Sequence, residues 1–329
     1  MIISRTPFRI SFFGGGTDYP HWFKQNGAAV LSTSFDKYCY ITCRELPPFF
    51  EHKYRIAYSK IENAKSIAEI EHPAVRAVLS EMDFDHGLEI HCDADLPARS
   101  GLGSSSSFVV GMLHSLNAFQ GKRVSKEWLA HEAIRIEQEV LQETVGSQDQ
   151  VAVSYGGFNI IHFEKDGSVR VEPLVVSTQR KKELNGHLML FFTGFSRISS
   201  EIAQASVVNI DKKSDELHGM RGMVDDAVDI LCHGKDIRSF GELLHSGWMH
   251  KRSLSDLVSN SNIDSLYDTA RKAGAVGGKL LGAGGGGFML LFVSPEKQAD
   301  VRGALKDLIF VPFEFEAAGS QVVYYQPTL

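Results

Sequence analysis

The segment Leu96-Pro97-Ala98-Arg99-Ser100-Gly101-Leu102-Gly103-Ser104-Ser105-Ser106-Ser107 constrains the fold more than any other. It joins a strand-like run, Leu88–Cys92, to an amphipathic helix expected from about Ser104 to Phe119. There Phe108, Val109, Met112, Leu113, Leu116 and Phe119 form one stripe at helical spacing. A loop rich in glycine and serine just before a helix aims N–H groups and the positive dipole end at one spot, which suits phosphate. A turn with an ordinary serine cap would need one serine, and four stand here.

Two further glycine clusters flank this one in sequence, Gly14-Gly15-Gly16 and the group Gly277, Gly278, Gly282 and Gly284 to Gly287. Together the three hold twelve of the chain's 30 glycines. Such clusters permit positive φ and close backbone approach to a ligand; the ordinary alternative is a tight turn or close packing of strands. Standard nucleotide motifs fail here. Gly278-Lys279 is followed by Leu280, and the residue five before Gly278 is Ala273, so there is no P-loop. Gly282-Ala283-Gly284-Gly285-Gly286-Gly287 spells GxGxxG, but a strand-like run follows it where a dinucleotide fingerprint opens a helix. HRD and DFG signatures are absent.

At 329 residues the chain exceeds what one core usually supports, so two domains are expected, divided softly at residue 165 into 1–165 and 166–329. With 34 Lys plus Arg against 40 Asp plus Glu, the net charge of −6 argues against nucleic acid as the main partner. No apolar run approaches the roughly 20 residues of a membrane helix, and the start lacks a secretory pattern, so the expectation is a cytoplasmic chain with no membrane partner. Cys39, Cys43, Cys92 and Cys232 form no CxxC pair and read as free thiols.

Strands are expected at Phe8–Phe13, Tyr38–Arg44, Leu88–Cys92, Gly157–Phe163, Val169–Val176, His187–Thr193, Gly287–Val293, Phe310–Phe315 and Gln321–Tyr325. A second helix is expected over Lys126–Gln142 with Ser125 as its cap, and others near Ser199–Val208, Asp215–Leu231, Ile237–Ser253, Ile263–Ala273 and Pro295–Leu308. Runs of helices among hairpin-like strands indicate an α+β class rather than a regular βαβ array.

The three clusters in this order resemble the motifs of the GHMP small-molecule kinases: Thr6 through Tyr19 the first, Leu96 through Ser107 the second, Lys279 through Gly287 the third. Within that superfamily, Gly14-Gly15-Gly16-Thr17-Asp18, Gly146-Ser147-Gln148-Asp149-Gln150 and Lys251-Arg252-Ser253-Leu254-Ser255 are most similar to bacterial D-glycero-D-manno-heptose 7-phosphate kinases. Fucose kinases are the nearest competitors, and Gly16-Thr17-Asp18 departs from their GGWSD-like motif. The resemblance implies an N-terminal ribosomal-protein-S5-like domain, a C-terminal ferredoxin-like domain, and the cofactors ATP and Mg²⁺. The small-molecule partners it implies are ATP and a sugar phosphate, with a homo-oligomer left open.

By that resemblance Arg99, Ser100, Gly101, Leu102, Gly103, Ser104, Ser105 and Ser106 cradle the triphosphate, and Ser105 reaches the metal. Helical counting puts Glu137 on the apolar sector of Leu129, Ala133, Ile134, Ile136, Val140 and Leu141, where a carboxylate needs a cation, either Mg²⁺ or a buried Arg. The family places its metal carboxylate a dozen residues before the catalytic Asp, and Glu137 precedes Asp149 by twelve, which favours Mg²⁺. Asp149 matches the catalytic Asp. Arg9 matches the basic residue that would favour its ionised form and offset transition-state charge. Asp18 would accept from sugar hydroxyls, with Gly15, Gly16 and Thr17 beside it. Gly15 and Gly16 stand where galactokinases have Glu-His, which argues for a bulkier sugar. Gly284, Gly285 and their neighbours through Gly287 would lie close to the reacting groups, and Arg197, the pair Lys251-Arg252 and, more weakly, Arg99 would meet a distal phosphate.

The leading expectation is an ATP-dependent phosphotransferase acting on the anomeric hydroxyl of a heptose 7-phosphate to give the 1,7-bisphosphate. The alternatives are another sugar 1-kinase of fucose or galactose type and a non-catalytic sugar and nucleotide sensor. A diphosphate decarboxylase would want basic residues near the first motif, and Gly14-Gly15-Gly16 offers none.

Overall fold

The computed structural model describes residues 1–98, 100–194, 202, 204 and 213–326. Two sheets organise it. The larger has nine strands, in the order β13-β1-β2-β5-β3-β4, with β6 and β12 also pairing with β2, and β7 with β6. Its members are β1 (Ile2–Phe13), β2 (Ala28–Glu45), β3 (Tyr54–Ala57), β4 (Ile61–Ala64), β5 (Leu88–Ala94), β6 (Phe158–Phe163), β7 (Val169–Pro173), β12 (Phe315–Glu316) and β13 (Gln321–Tyr325). The smaller runs β11 (Ile309–Val311), β8 (Leu188–Phe192), β10 (Phe288–Val293), β9 (Ala275–Leu280). The α+β class is as expected.

Sheet membership divides the chain differently from a cut at residue 165. Val169–Pro173 pairs with β6, and the C-terminal β12 and β13 return to pair with β2 and β1. Pairing of β13 along β1 supplies backbone partners that no local composition shift reports.

The helices are α1 (Pro20–Asn26), α2 (Pro73–Glu81), α3 (Ser104–Phe119), α4 (Lys126–Arg135), α5 (Gln148–Tyr155), α6 (Thr178–Gly186), α7 (Ser214–Cys232), α8 (Arg238–Ser253), α9 (Ser261–Lys272) and α10 (Gln298–Ala304). Helix α3 matches its expected span, burying Val109, Met112, Leu113 and Leu116 in the large core. Ser125 caps α4 by accepting from the Trp128 N–H at 3.0 Å. That helix stops short of the expected Gln142, widening into a π turn over Ile136–Val140 before Gln142 takes φ +54°. Much of the expected Ser199–Val208 helix lies outside the described residues.

Strand β9 went unexpected because two glycines interrupt its apolar pattern. The reason is packing: a Cβ on Gly277 would stand 1.9 Å from the Gly241 carbonyl of α8, so the helix lies directly on the strand backbone. For Gly277 and Gly278 close packing is therefore the explanation. Cys39, Cys43, Cys92 and Cys232 are free thiols, with Cys39 Sγ and Cys92 Sγ 3.9 Å apart on neighbouring strands. Among the described residues no helix is long and apolar enough to cross a membrane.

Candidate active site

The end of β1, the turn before α3, the start of α5 and the β9–β10 turn meet at one place. Arg9 is its centre. Its Nε and Nη2 donate to the two carboxylate oxygens of Asp149 at 2.7 and 2.6 Å, while Nη1 donates to the Gly101 carbonyl at 2.8 Å. Its backbone N–H donates to the Leu102 carbonyl at 3.1 Å. Arg9 is buried and the Asp149 side chain 24% exposed, so the pair is a partly desolvated, bidentate clamp rather than a surface ion pair. Gly103, at φ +76°, passes alongside: a Cβ there would lie 3.2 Å from the Arg9 stem and 3.5 Å from Asp149.

The phosphate-loop residues divide by role. Gly103 is the N-cap of α3 and offers no side-chain cap to its first turn. Ser100 turns its hydroxyl back to Pro97, and Ser107 turns its own to the Pro7 carbonyl. Ser106, the neighbour of the Ser105 expected at the metal, reaches Glu137, donating at 2.9 Å to Oε2. The helix turns by about 100° between the two, leaving Ser105 exposed while Ser106 faces the core. Arg99 lies outside the described residues.

Glu137 is 1% exposed, and its carboxylate also accepts from Gln150 Nε2. Among the described residues it has no salt bridge. Burial pushes its pKa up to about 7, and the charges of Glu143 and Asp149 add to this against the pull of its two hydrogen bonds. A buried carboxylate with neutral donors and further negative charge nearby lacks one thing, a cation. That is the environment a phosphate-bridging Mg²⁺ would complete, so these residues fit the implied metal.

The first glycine cluster is a tight turn. Thr17 donates from both N–H and hydroxyl to the Gly14 carbonyl at 3.1 and 2.7 Å, and is fully buried. Gly16 faces the apolar side chains of Leu217, Met220 and Leu254. Asp18 is 1% exposed and accepts from the Gly16 N–H, the Gln148 N–H and Gln148 Nε2 at 2.8, 3.2 and 3.1 Å. Burial raises its pKa. Gly146 is required beside it, since a Cβ would come within 1.9 Å of Asp18 Oδ2. Asp18 thus ties the first turn to the start of α5, the helix that carries Asp149.

The third cluster packs backbone to backbone on the second. A Cβ on Gly282 would lie 2.3 Å from Gly101 Cα, and one on Gly287 2.4 Å from the Ser100 carbonyl. Gly284 and Gly285 instead meet the turn before α9: Gly285 donates to Val258 and accepts from Asn260, and a Cβ on Gly284 would strike the Val258 carbonyl. Of the third cluster, Gly282 and Gly287 therefore lie against the turn before α3, and Gly284 against the turn before α9.

Lys251, expected at a distal phosphate, donates to the Leu280 and Gly282 carbonyls at the start of the β9–β10 turn. Burial and then the Arg9 charge push it down to about 7, while Asp149 pulls it back, so its electrostatic neighbours are the Arg9–Asp149 pair. Its neighbour Arg252 pairs with Asp264 instead. Arg197 lies outside the described residues. Two residues were missed. Lys279 crosses from β9 to donate to the Ser11 and Phe12 carbonyls at 3.0 and 2.8 Å, where a register shift between Ser11 and Phe13 interrupts the β1–β2 ladder. Burial, then the Lys251 and Arg9 charges, hold its pKa well below the ordinary lysine value. A lone lysine in an apolar strand was its signal. Gln148 is the other, signalled only by standing next to Asp149.

Residues 66–157 match the GHMP kinases N terminal domain, and residues 227–308 match GHMP kinases C terminal. The D-glycero-alpha-D-manno-heptose 7-phosphate kinase of Campylobacter jejuni is 29% identical over 317 residues, covering 93% of each chain. The bifunctional fucokinase/GDP-fucose pyrophosphorylase of Arabidopsis thaliana is 25% identical over 334 residues, 92% of this chain and 31% of that protein. A crystal structure of a D-glycero-D-manno-heptose 1-phosphate kinase from Bacteroides thetaiotaomicron superposes with a TM-score of 0.80 over 98% of this chain and 99% of the other, at 24% identity. That last likeness is one of fold.

Proposed function

This chain belongs to the GHMP kinases, phosphotransferases with an alcohol group as acceptor, and from that premise we propose that it is an ATP-dependent sugar kinase acting on the anomeric hydroxyl of D-glycero-D-manno-heptose 7-phosphate. The product is the 1,7-bisphosphate. The observation that carries the reading is the convergence of the Arg9–Asp149 clamp with the Gly101–Ser106 turn at the start of α3. The heptose rests on the Campylobacter relative, which matches along nearly its whole length.

In this reading the acceptor hydroxyl oxygen attacks the γ-phosphorus of ATP, the bond from that phosphorus to the ADP oxygen breaks, and the hydroxyl proton passes to Asp149. Each Asp149 oxygen keeps a lone pair beyond the one Arg9 occupies, so the clamp orients the carboxylate without using it up. Arg9 and Lys251 bring positive charge to a partly buried place, where it acts more strongly on a transferring phosphoryl group than in water. The N–H groups at the start of α3, with Gly101 and Gly103, hold the phosphates. Glu137 and the hydroxyls of Ser105 or Ser106 would hold Mg²⁺, which when bound neutralises phosphate charge. Asp18, Gly15, Gly16 and Thr17 shape the sugar side.

The test is a coupled ADP-release screen over heptose 7-phosphate, mannose, fucose and galactose, with the phosphorylated position of the product read by phosphorus NMR. Turnover of heptose 7-phosphate at the anomeric position is expected. Turnover of unphosphorylated sugars alone would overturn the heptose phosphate, and ligand binding without ADP release would make the chain a sensor.

A further inference from the structure

Two buried polar atoms beside the active site have no hydrogen-bond partner, the Ser11 hydroxyl and the Gln148 side-chain carbonyl Oε1. They converge on one point. A Cβ built on Gly15 would lie 3.1 Å from Ser11 Oγ, 3.3 Å from Gln148 Nε2 and 3.6 Å from Gln148 Oε1. Ser11 is 6% exposed, and its hydroxyl lies beside the first glycine turn at Gly15. Leaving a hydroxyl and an amide oxygen buried without partners costs stability, so a native chain keeps them for a reason.

The amide orientation is set. Gln148 Nε2 donates to Asp18 Oδ1 at 3.1 Å, and a flipped amide would turn its oxygen onto that carboxylate. Oε1 is thereby left as an acceptor facing Ser11 across Gly15. Ser11 can give its own hydrogen, because its backbone carbonyl already serves Lys279 and its hydroxyl is otherwise unspent. An acceptor paired with a donor suits one alcohol hydroxyl, which donates to the amide oxygen and accepts from the serine.

We propose that Ser11 and Gln148 form a specificity subsite beside Gly15 that binds a hydroxyl of the acceptor sugar. The inference rests on the sugar-kinase reading and names residues that determine which sugar is held. Neither atom is open to water in the ligand-free chain, and Gly14 and Gly16 hold the turn beside them at φ +80° and +102°. Gly15 itself is absent from the positive-φ positions, so a methyl group there is sterically, not conformationally, restricted. The glycine keeps the space between the two atoms clear.

The test uses the full chain and the sugar that the wild type phosphorylates best in the ADP-release screen. Ser11→Ala removes the donor, and Gly15→Ala plugs the space. Both should raise the sugar KM by about tenfold or more while the ATP KM stays within about twofold. The ligand-free Ser11→Ala protein should melt at or above the wild-type temperature, because it loses only an unpartnered hydroxyl. A sugar KM within about twofold of wild type in both variants, with Ser11→Ala melting lower, would instead show that the two atoms share a structural water and would overturn the subsite. A wild type inert toward every sugar overturns the kinase reading and the subsite with it; an active wild type with indifferent variants overturns the subsite alone.

Discussion

Arg9 and Asp149, 140 residues apart in sequence, are joined by two parallel hydrogen bonds of 2.7 and 2.6 Å, and the third arm of the guanidinium holds the Gly101 carbonyl. One side chain therefore registers three of the site's segments at once. Only the planar fork of arginine can do this, since a lysine ammonium offers no pair of donors at that spacing. Arg9→Lys should lower kcat by about 10²-fold or more and lower the melting temperature, whereas Asp149→Asn should lower kcat by about 10³-fold with ATP binding retained. Stopped-flow single-turnover kinetics and calorimetric titration of nucleotide check the two halves. Asp149→Asn retaining wild-type turnover would remove Asp149 from proton transfer.

Glu137 and Lys251 should give the ligand-free protein an unusual pH profile. Burial raises Glu137 from 4.5 to about 7, so its contribution to stability is fully present below about pH 4.5 and is lost as pH rises to about 7. Burial lowers Lys251 from 10.5 to about 7, so its contribution is present above about pH 10.5 and is lost as pH falls to about 7. Both costs coincide near neutrality. At pH 8, urea unfolding of Glu137→Gln should show the ligand-free variant more stable than wild type by up to about 3 kcal/mol, with the gap closing by pH 4.5. Lys251→Met leaves the Leu280 and Gly282 carbonyls without their lysine donor, so its stability relative to wild type should be lower toward pH 10 than near pH 7. A gap that does not change with pH would remove either group from the profile.

The contact between the second and third glycine clusters should tolerate no side chain. Gly282→Ala must force its Cβ against Gly101 Cα at 2.3 Å, with backbone on both sides and φ at +73°. A fall in kcat/KM for ATP of about 10²-fold and a lower melting temperature are expected. Gly303→Ala in α10 is the control, for nothing lies within 4 Å of its Cβ position, and it should be neutral or stabilise by up to about 1 kcal/mol. Equal behaviour of the two variants would show that the backbone contact is unimportant.

Lys279 straps the small sheet to the large one through the Ser11 and Phe12 carbonyls. Lys279→Met keeps much of the side chain's bulk but leaves two buried carbonyls without these donors, which should cost about 2–4 kcal/mol in denaturant unfolding. The same variant should raise the sugar KM, because Ser11 and the first turn lose their anchor. An unchanged unfolding midpoint would show that water replaces the ammonium.

Much of this architecture was legible in order and type of element. The span of α3, the Ser125 cap and β10 follow from apolar period and capping chemistry, which are local. What escaped was set by contact. β9 hides behind Gly277 and Gly278, whose absent side chains matter only because α8 lies on the first and the Leu290 carbonyl of β10 crowds the second. The end of α4 at Arg135 comes from a π turn that a count of about 100° per residue cannot anticipate. The counting still selected Glu137 as the buried carboxylate, since that turn lies close to the helix that was counted.

The family resemblance carried Arg9 and Asp149; the residues themselves determined three glycine-rich clusters, one of them opening a helix suited to phosphate, and Glu137 as a charge needing a partner. The latter conclusions follow from backbone freedom and the cost of burying charge, which each residue carries wherever it stands. The tertiary structure alone decided the pairings. It gave the expected Arg9–Asp149 pair its bidentate geometry and set Ser106 on Glu137, Lys251 on the Leu280 carbonyl, and Gly282 against Gly101. Hydrogen bonds and steric fit depend on distances of a few tenths of an ångström between segments far apart in the chain, and only the closed fold brings those segments together.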